Sequence, residues 1–138
     1  MKIITYNPKK PQVHQFSFYV LSKGIYSGRP MKHPCANCFI VIAECEFEKR
    51  RLVNYVYILW KSKVFEQLLI GSVILFLRIT DFKKLLVNTI NDKTLNHDNI
   101  WFCFSMIVTL NRKQAFFKEK IRDLKVAERT YIKKYINF

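Results

Sequence analysis

Residues 98–135 read DNIWFCFSMIVTLNRKQAFFKEKIRDLKVAERTYIKKY, and whether this stretch is one helix or a strand followed by a helix decides the fold. Its front part, Ile100 to Leu110, is apolar enough to be a strand by itself. Spacing settles the choice. Cys103, Ile107, Leu110, Gln114, Phe117, Ile121, Leu124, Glu128, Tyr131 and Tyr135 follow one another at alternating intervals of four and three residues, a largely apolar seam with two polar members. Only a helix brings such positions onto one face. No Gly or Pro occurs after Gly71, and Asn96 to Asp98 supplies side chains able to cap the free amides of a first turn. One helix is therefore expected from about Asp98 to about Tyr135, roughly 55 Å long at about 1.5 Å per residue. A helix of that length outgrows a small domain, so Ile107, Leu110, Phe117, Ile121, Leu124, Tyr131 and Tyr135 are expected to find a partner, a second copy of the chain in a homodimer or a helix of another protein.

Upstream of the seam the periodicity changes character. Lys2 to Tyr6 and Phe16 to Leu21 are short runs rich in β-branched and aromatic residues, read as two strands joined by a Pro-bearing loop. Ser22 to Pro34 gathers Gly, Ser, Pro and cations and reads as a loop, and Cys38 to Ala43 as a buried strand. From Glu46 the apolar residues Leu52, Val53, Tyr55, Val56, Leu59, Trp60, Val64, Phe65, Leu68 and Leu69 recur at helical spacing, with Gly71-Ser72 as the stop. Val73 to Ile79 then reads as a strand, and Thr80 or Asp81 as the cap of a short helix to about Thr89 that Asn91 to Asn96 breaks. The fold class expected is α+β: a small β-sheet packed on a helix, followed by a long C-terminal helix. The boundary falls between a basic α+β body, 1–96, and the helix, 97–138.

Composition narrows the class further. The chain has 138 residues, 50% of them hydrophobic and 15% aromatic, which fits one domain with a packed core and excludes a disordered basic tail. The longest apolar runs, Leu68 to Leu77 and Ile100 to Leu110, fall short of the ~18–20 residues that cross a bilayer, and the N-terminal residues lack the apolar centre of a secretory signal. Cytoplasmic residence is expected, with Cys35, Cys38, Cys45 and Cys103 as thiols or metal ligands and disulfides the least favoured option. The formal charge is +14, and the excess sits at the ends: net +6 over residues 1–38, where no acidic residue occurs, and net +6 over 112–138. Such a field draws a polyanion, and nucleic acid is the commonest such partner for a cytoplasmic protein.

Several segments resemble a known family. Gly71-Ser72-Val73-Ile74-Leu75-Phe76-Leu77-Arg78-Ile79-Thr80-Asp81 is similar to the end of the target recognition domain in specificity subunits of type I restriction enzymes, where Gly-Ser, an apolar strand and Asp close the domain. The strand Phe39 to Ile42, the helix bearing Tyr55 to Ser62, and Phe65 match that family's order, and the long helix corresponds to one that pairs with its counterpart there. Roughly residues 38 to 136 are covered, and the part before them is shorter than the family's base-reading region. The resemblance implies duplex DNA binding by a dimer, without catalysis. The whole chain, including Asn7 to Pro11 and Leu21 to Gly24, also resembles a small uncharacterised bacterial family.

The remaining constellations carry less chemistry. Cys35-Ala36-Asn37-Cys38 has the spacing of a zinc or thiol redox pair, with His33 and Cys45 nearby, but no second pair completes four ligands, and a strand follows where a redox pair needs a helix. A zinc-stabilised module is the alternative this leaves, and no metal or cofactor is expected. No phosphate loop, nucleophile elbow or metalloprotease motif occurs, so no catalytic residue is assigned. The loop residues Lys9, Lys10, Lys23, Tyr26, Arg29 and Lys32 combine cations with an aromatic ring between Gly24 and Gly28, a mixture suited to phosphates and bases. Lys49, Arg50 and Arg51 join them as candidates, since cations at a helix start oppose its dipole and a binding role would explain their place. The function expected is non-enzymatic nucleic-acid binding, duplex DNA foremost, by a homodimer. The runner-up is an adaptor whose seam docks another protein.

Overall fold

In the computed structural model, which describes residues 1–136, the first forty or so residues pair into one antiparallel sheet: β1 (Lys2–Thr5), β2 (Ser17–Leu21), β3 (Pro30–Met31) and β4 (Cys38–Ile42), in the order β1-β4-β2-β3. Lys2 to Thr5 face Ile42 to Phe39, and Ser17 to Leu21 face Ile42 to Cys38, so β4 lies between two neighbours. That position explains its unbroken apolar sequence, because Cys38, Phe39, Ile40 and Val41 are all buried. β3 lies inside the segment expected as loop. Two residues, Pro30 and Met31, pair with Val20 and Tyr19 and make it an edge, where Pro loses no needed hydrogen bond.

Ile3, Phe18, Val20, Phe39 and Val41 point from alternate positions of the strands to one face of the sheet. Onto that face pack α1 (Glu46–Lys61) through Leu52, Tyr55 and Val56, and α2 (Ile79–Asn91) through Phe82 and Leu86, each set spaced to share one side of its helix. Phe82 stacks at 5.6 Å on Phe39 and stands 5.7 Å from Phe65, so α2, the sheet and the turn that follows α1 meet in one aromatic cluster. On the opposite face Tyr19 meets Tyr6 edge-on at 5.8 Å.

The helix expected to run to Leu69 stops at Lys61. Ser62 closes it by donating its amide to the Ile58 carbonyl at 2.8 Å, Lys63 turns left-handed at φ 63°, and a 3₁₀ turn (Val64–Leu68) follows. Val73 to Ile79 is not a strand. Gly71, at φ 116°, lets the chain double back so that Ile70 and Phe76 exchange amide bonds of 3.0 and 2.8 Å, and Val73 and Ile74 are left exposed. Leu75 and Leu77 then bond Gly24 and Ser22 at 2.7 and 2.8 Å, which docks this turn on the β2–β3 connection. Neither Thr80 nor Asp81 caps α2: it begins at Ile79, one turn inside which Asp81 accepts from Arg78 Nε at 2.7 Å.

The turn after α2 holds Asp92 by the Thr94 hydroxyl and amide at 2.6 and 2.9 Å, which keep the Asp92 carboxyl below its ordinary range. Asn96 Oδ1 then accepts the Asp98 amide at 2.9 Å, and α3 (His97–Ile136) runs for 40 residues, about 60 Å. Tyr55 of α1 hydrogen-bonds His97 Nδ1 and ties the first residue of α3 to the core. The chain forms two compact units, Met1–Trp101 and a second beginning at Phe102, a few residues past the boundary expected from sequence. No helix among the described residues is long and apolar enough to cross a membrane.

Candidate nucleic-acid interface

Two connections leave the sheet at one end. Tyr6, just past β1, donates to the Cys38 carbonyl at 2.9 Å, and Ser22, just past β2, donates to the Asn37 carbonyl at 3.0 Å. Lys9 and Lys10 on the first connection and Lys23, Tyr26 and Arg29 on the second therefore start from neighbouring points, with Lys32 directly after β3. All six side chains are exposed, and none of the five cations enters an ion pair among the described residues.

The second connection is not a free loop. Leu21 and Arg29 are joined by the 3.0 Å bond from the Leu21 amide to the Arg29 carbonyl, Gly28 returns its amide to Leu21 at 2.7 Å, and the buried Ser27 hydroxyl donates to the Gly24 carbonyl at 2.7 Å. Gly24 and Gly28 sit at φ 94° and 92°, and this tight double turn leaves Ile25 and Tyr26 pointing out, Tyr26 at 58% exposure. Tyr26 forms one wall of a cleft of about 660 Å³ whose other walls include Trp60, Lys61, Lys63, Phe65 and Leu75. Lys61 Nζ stands 5.1 Å above the Trp60 ring, and Lys63 lies 3.7 Å from Glu66 in an exposed pair of little strength.

Trp60, Lys61 and Lys63 are the residues that sequence reasoning missed. It ran the helix through them and assigned the two lysines no binding role. The end of α1 at Lys61 and the left-handed Lys63 bring them round to Tyr26. The adjacent pattern Trp60-Lys61-Ser62-Lys63, an aromatic among cations, was the available signal.

Lys49, Arg50 and Arg51 belong elsewhere. α1 starts after Ile42, at the sheet end opposite the two connections, and Glu46 takes Lys49 and Arg50 at 3.6 and 3.3 Å. Because α1 begins at Glu46, with the Cys45 thiol accepting the Glu48 amide at 3.5 Å, its first turn carries Glu46 and Glu48 and suits the dipole. The opposition expected from a start at the basic run does not arise. Arg51 is half-buried and its Nε has no hydrogen-bond partner among the described residues.

The Cys35–Cys38 pair closes the turn into β4. Cys38 Sγ donates to the Cys35 carbonyl at 3.0 Å and accepts its amide at 3.4 Å, and burial pushes the thiol up to about 11, far from a reactive thiolate. Among the described residues no three His, Cys, Asp or Glu side chains are grouped to hold a metal ion.

On α3 none of the described residues is buried, and Leu110, Phe117, Ile121, Leu124, Tyr131 and Tyr135 are exposed while Ile107 is half-buried. No curated protein and no solved structure matches the chain. A family of unknown function (DUF6943) matches residues 3–134, nearly the whole sequence, and the chain belongs to that family.

Proposed function

We propose that the protein binds nucleic acid without catalysis, through the cleft at the end of α1 and the cations of the two neighbouring connections. The observation that carries the reading is the meeting of Tyr26 and Trp60 with Lys61 and Lys63 in one open cleft, with Lys23 and Arg29 on the same connection as Tyr26. Aromatic faces accept unpaired bases, and the surrounding ammonium and guanidinium groups accept the phosphates that connect them. A concave site of this kind fits a single strand better than the closed stack of a duplex.

The likeness to a target recognition domain would favour duplex DNA instead. It leans on an apolar strand after Gly71-Ser72, where the chain makes a turn, and its Asp81 is engaged with Arg78. The single-strand reading rests on the cleft alone.

Fluorescence anisotropy with labelled 20-residue single strands of DNA and RNA, and with duplex DNA, over a salt series tests it. Single strands are expected to bind more tightly than duplex, with affinity falling as salt rises, and Tyr26→Ala is expected to weaken binding about tenfold, the worth of one stacked base. Binding that ignores salt, or that Tyr26→Ala and Lys61→Ala leave untouched, overturns the reading.

A further inference from the structure

The flanks of the α3 seam specify what can cover it. With Ile107, Gln114, Ile121, Glu128 and Tyr135 at one seam position and Cys103, Leu110, Phe117, Leu124 and Tyr131 at the other, the charged residues bordering the seam are Lys118 and Lys125 on one side and Lys113, Lys120 and Lys134 on the other. All five are exposed, and neither border holds an Asp or Glu. Asp123 lies 3.9 Å from Lys120 but on the side of the helix away from the seam, in an exposed pair.

This arrangement disfavours a second copy of the chain. In a parallel pair Lys113 and Lys120 would face the copy's Lys118 and Lys125, and in an antiparallel pair each border would face itself, so lysine meets lysine either way. A lipid surface fits no better, because interfacial helices present a broad apolar face, whereas lysines here border a narrow seam that contains Glu128. We propose that the seam docks an α-helix of another protein, apolar at the matching seam positions and lined on both borders by Asp or Glu, with a cation or amide opposite Glu128. Charge complementarity is what selects this occupant. No seam residue lines the cleft, so the proposal does not depend on nucleic-acid binding.

The test uses the full chain and two synthetic helical peptides of five heptads with identical Leu and Ile seams, one bordered by Glu and one by Lys. The Glu-bordered peptide is expected to bind at least about tenfold more tightly, as four or five modest ion pairs together provide, and the preference should shrink in high salt. Reversing Lys113, Lys118, Lys120 and Lys125 to Glu should invert the preference with an unchanged circular dichroism spectrum. Sedimentation should find the chain alone monomeric at micromolar concentration. Equal binding of both peptides, binding of neither, a dimer of the chain that Ile121→Asp dissolves, or tighter binding to phosphatidylserine vesicles than to the Glu peptide overturns the proposal.

Discussion

Gly28 is held by two constraints at once. Its φ of 92° is a backbone state that other residues enter at a cost of about 1–2 kcal/mol, and a Cβ at this position would overlap the ring of Phe65. That ring is buried against Phe82, so moving it aside disturbs the core packing. Gly28→Ala is therefore expected to lower stability by about 3 kcal/mol, strain and overpacking together, in urea unfolding. Gly24→Ala shares the strained backbone, at φ 94°, but meets open space, so about 1–2 kcal/mol is expected there. The comparison separates steric overlap from backbone strain. Sequence pointed to an outward Tyr26 between these glycines, and Tyr26 is exposed. It could not reveal that Ser27 and Gly28 beside it are buried, since that depends on Phe65 arriving from a segment nearly forty residues away.

The junction after α1 shows how an unbroken apolar periodicity can hide the end of a helix. Leu52, Tyr55 and Val56 reach the core from one face of α1, whereas Phe65, which a continuous helix would carry to the far side, reaches it because the helix ends at Lys61 and a 3₁₀ turn follows. A 3₁₀ turn repeats at nearly the helical interval, so the three- and four-residue spacing along the sequence does not mark the break even though the chain changes direction there. The break itself rests on Lys63, the only non-glycine residue with positive φ among the described residues. Lys63→Gly is expected to raise stability by about 1 kcal/mol through relief of that strain, and to weaken oligonucleotide binding by removing a cation from the cleft. Thermal unfolding and anisotropy on the same variant should move in opposite directions. The Val73 to Ile79 run is not a strand because its bonding partners are Ile70, Ser22 and Gly24, not a long neighbouring strand.

The whole body responds to high pH through groups whose protons folding retains. Burial raises Cys38 from 9.0 to about 11 and raises Tyr55 and Tyr19 above 10.0, Tyr55 against a downward pull from Arg51. Each group ionises more readily in the unfolded chain, so the folded state holds more protons and stability falls with rising pH. Urea midpoints should stay level below pH 9 and decline between 9 and about 11, and Cys38→Val should shallow the early part of the decline. At this scale the sequence by itself determined the α+β class, the long final helix, the buried central strand and the basic ends, because periodicity, apolar runs and charge are local properties that survive any packing. Only the tertiary structure decided which cations stand together. It left Lys49 and Arg50 with Glu46 at one end of the sheet and gathered Tyr26, Trp60, Lys61 and Lys63 into a cleft at the other. That choice came from the strand order and from a left-handed residue at the end of α1, and long-range pairing of this kind leaves no mark on the spacing of residues along the chain.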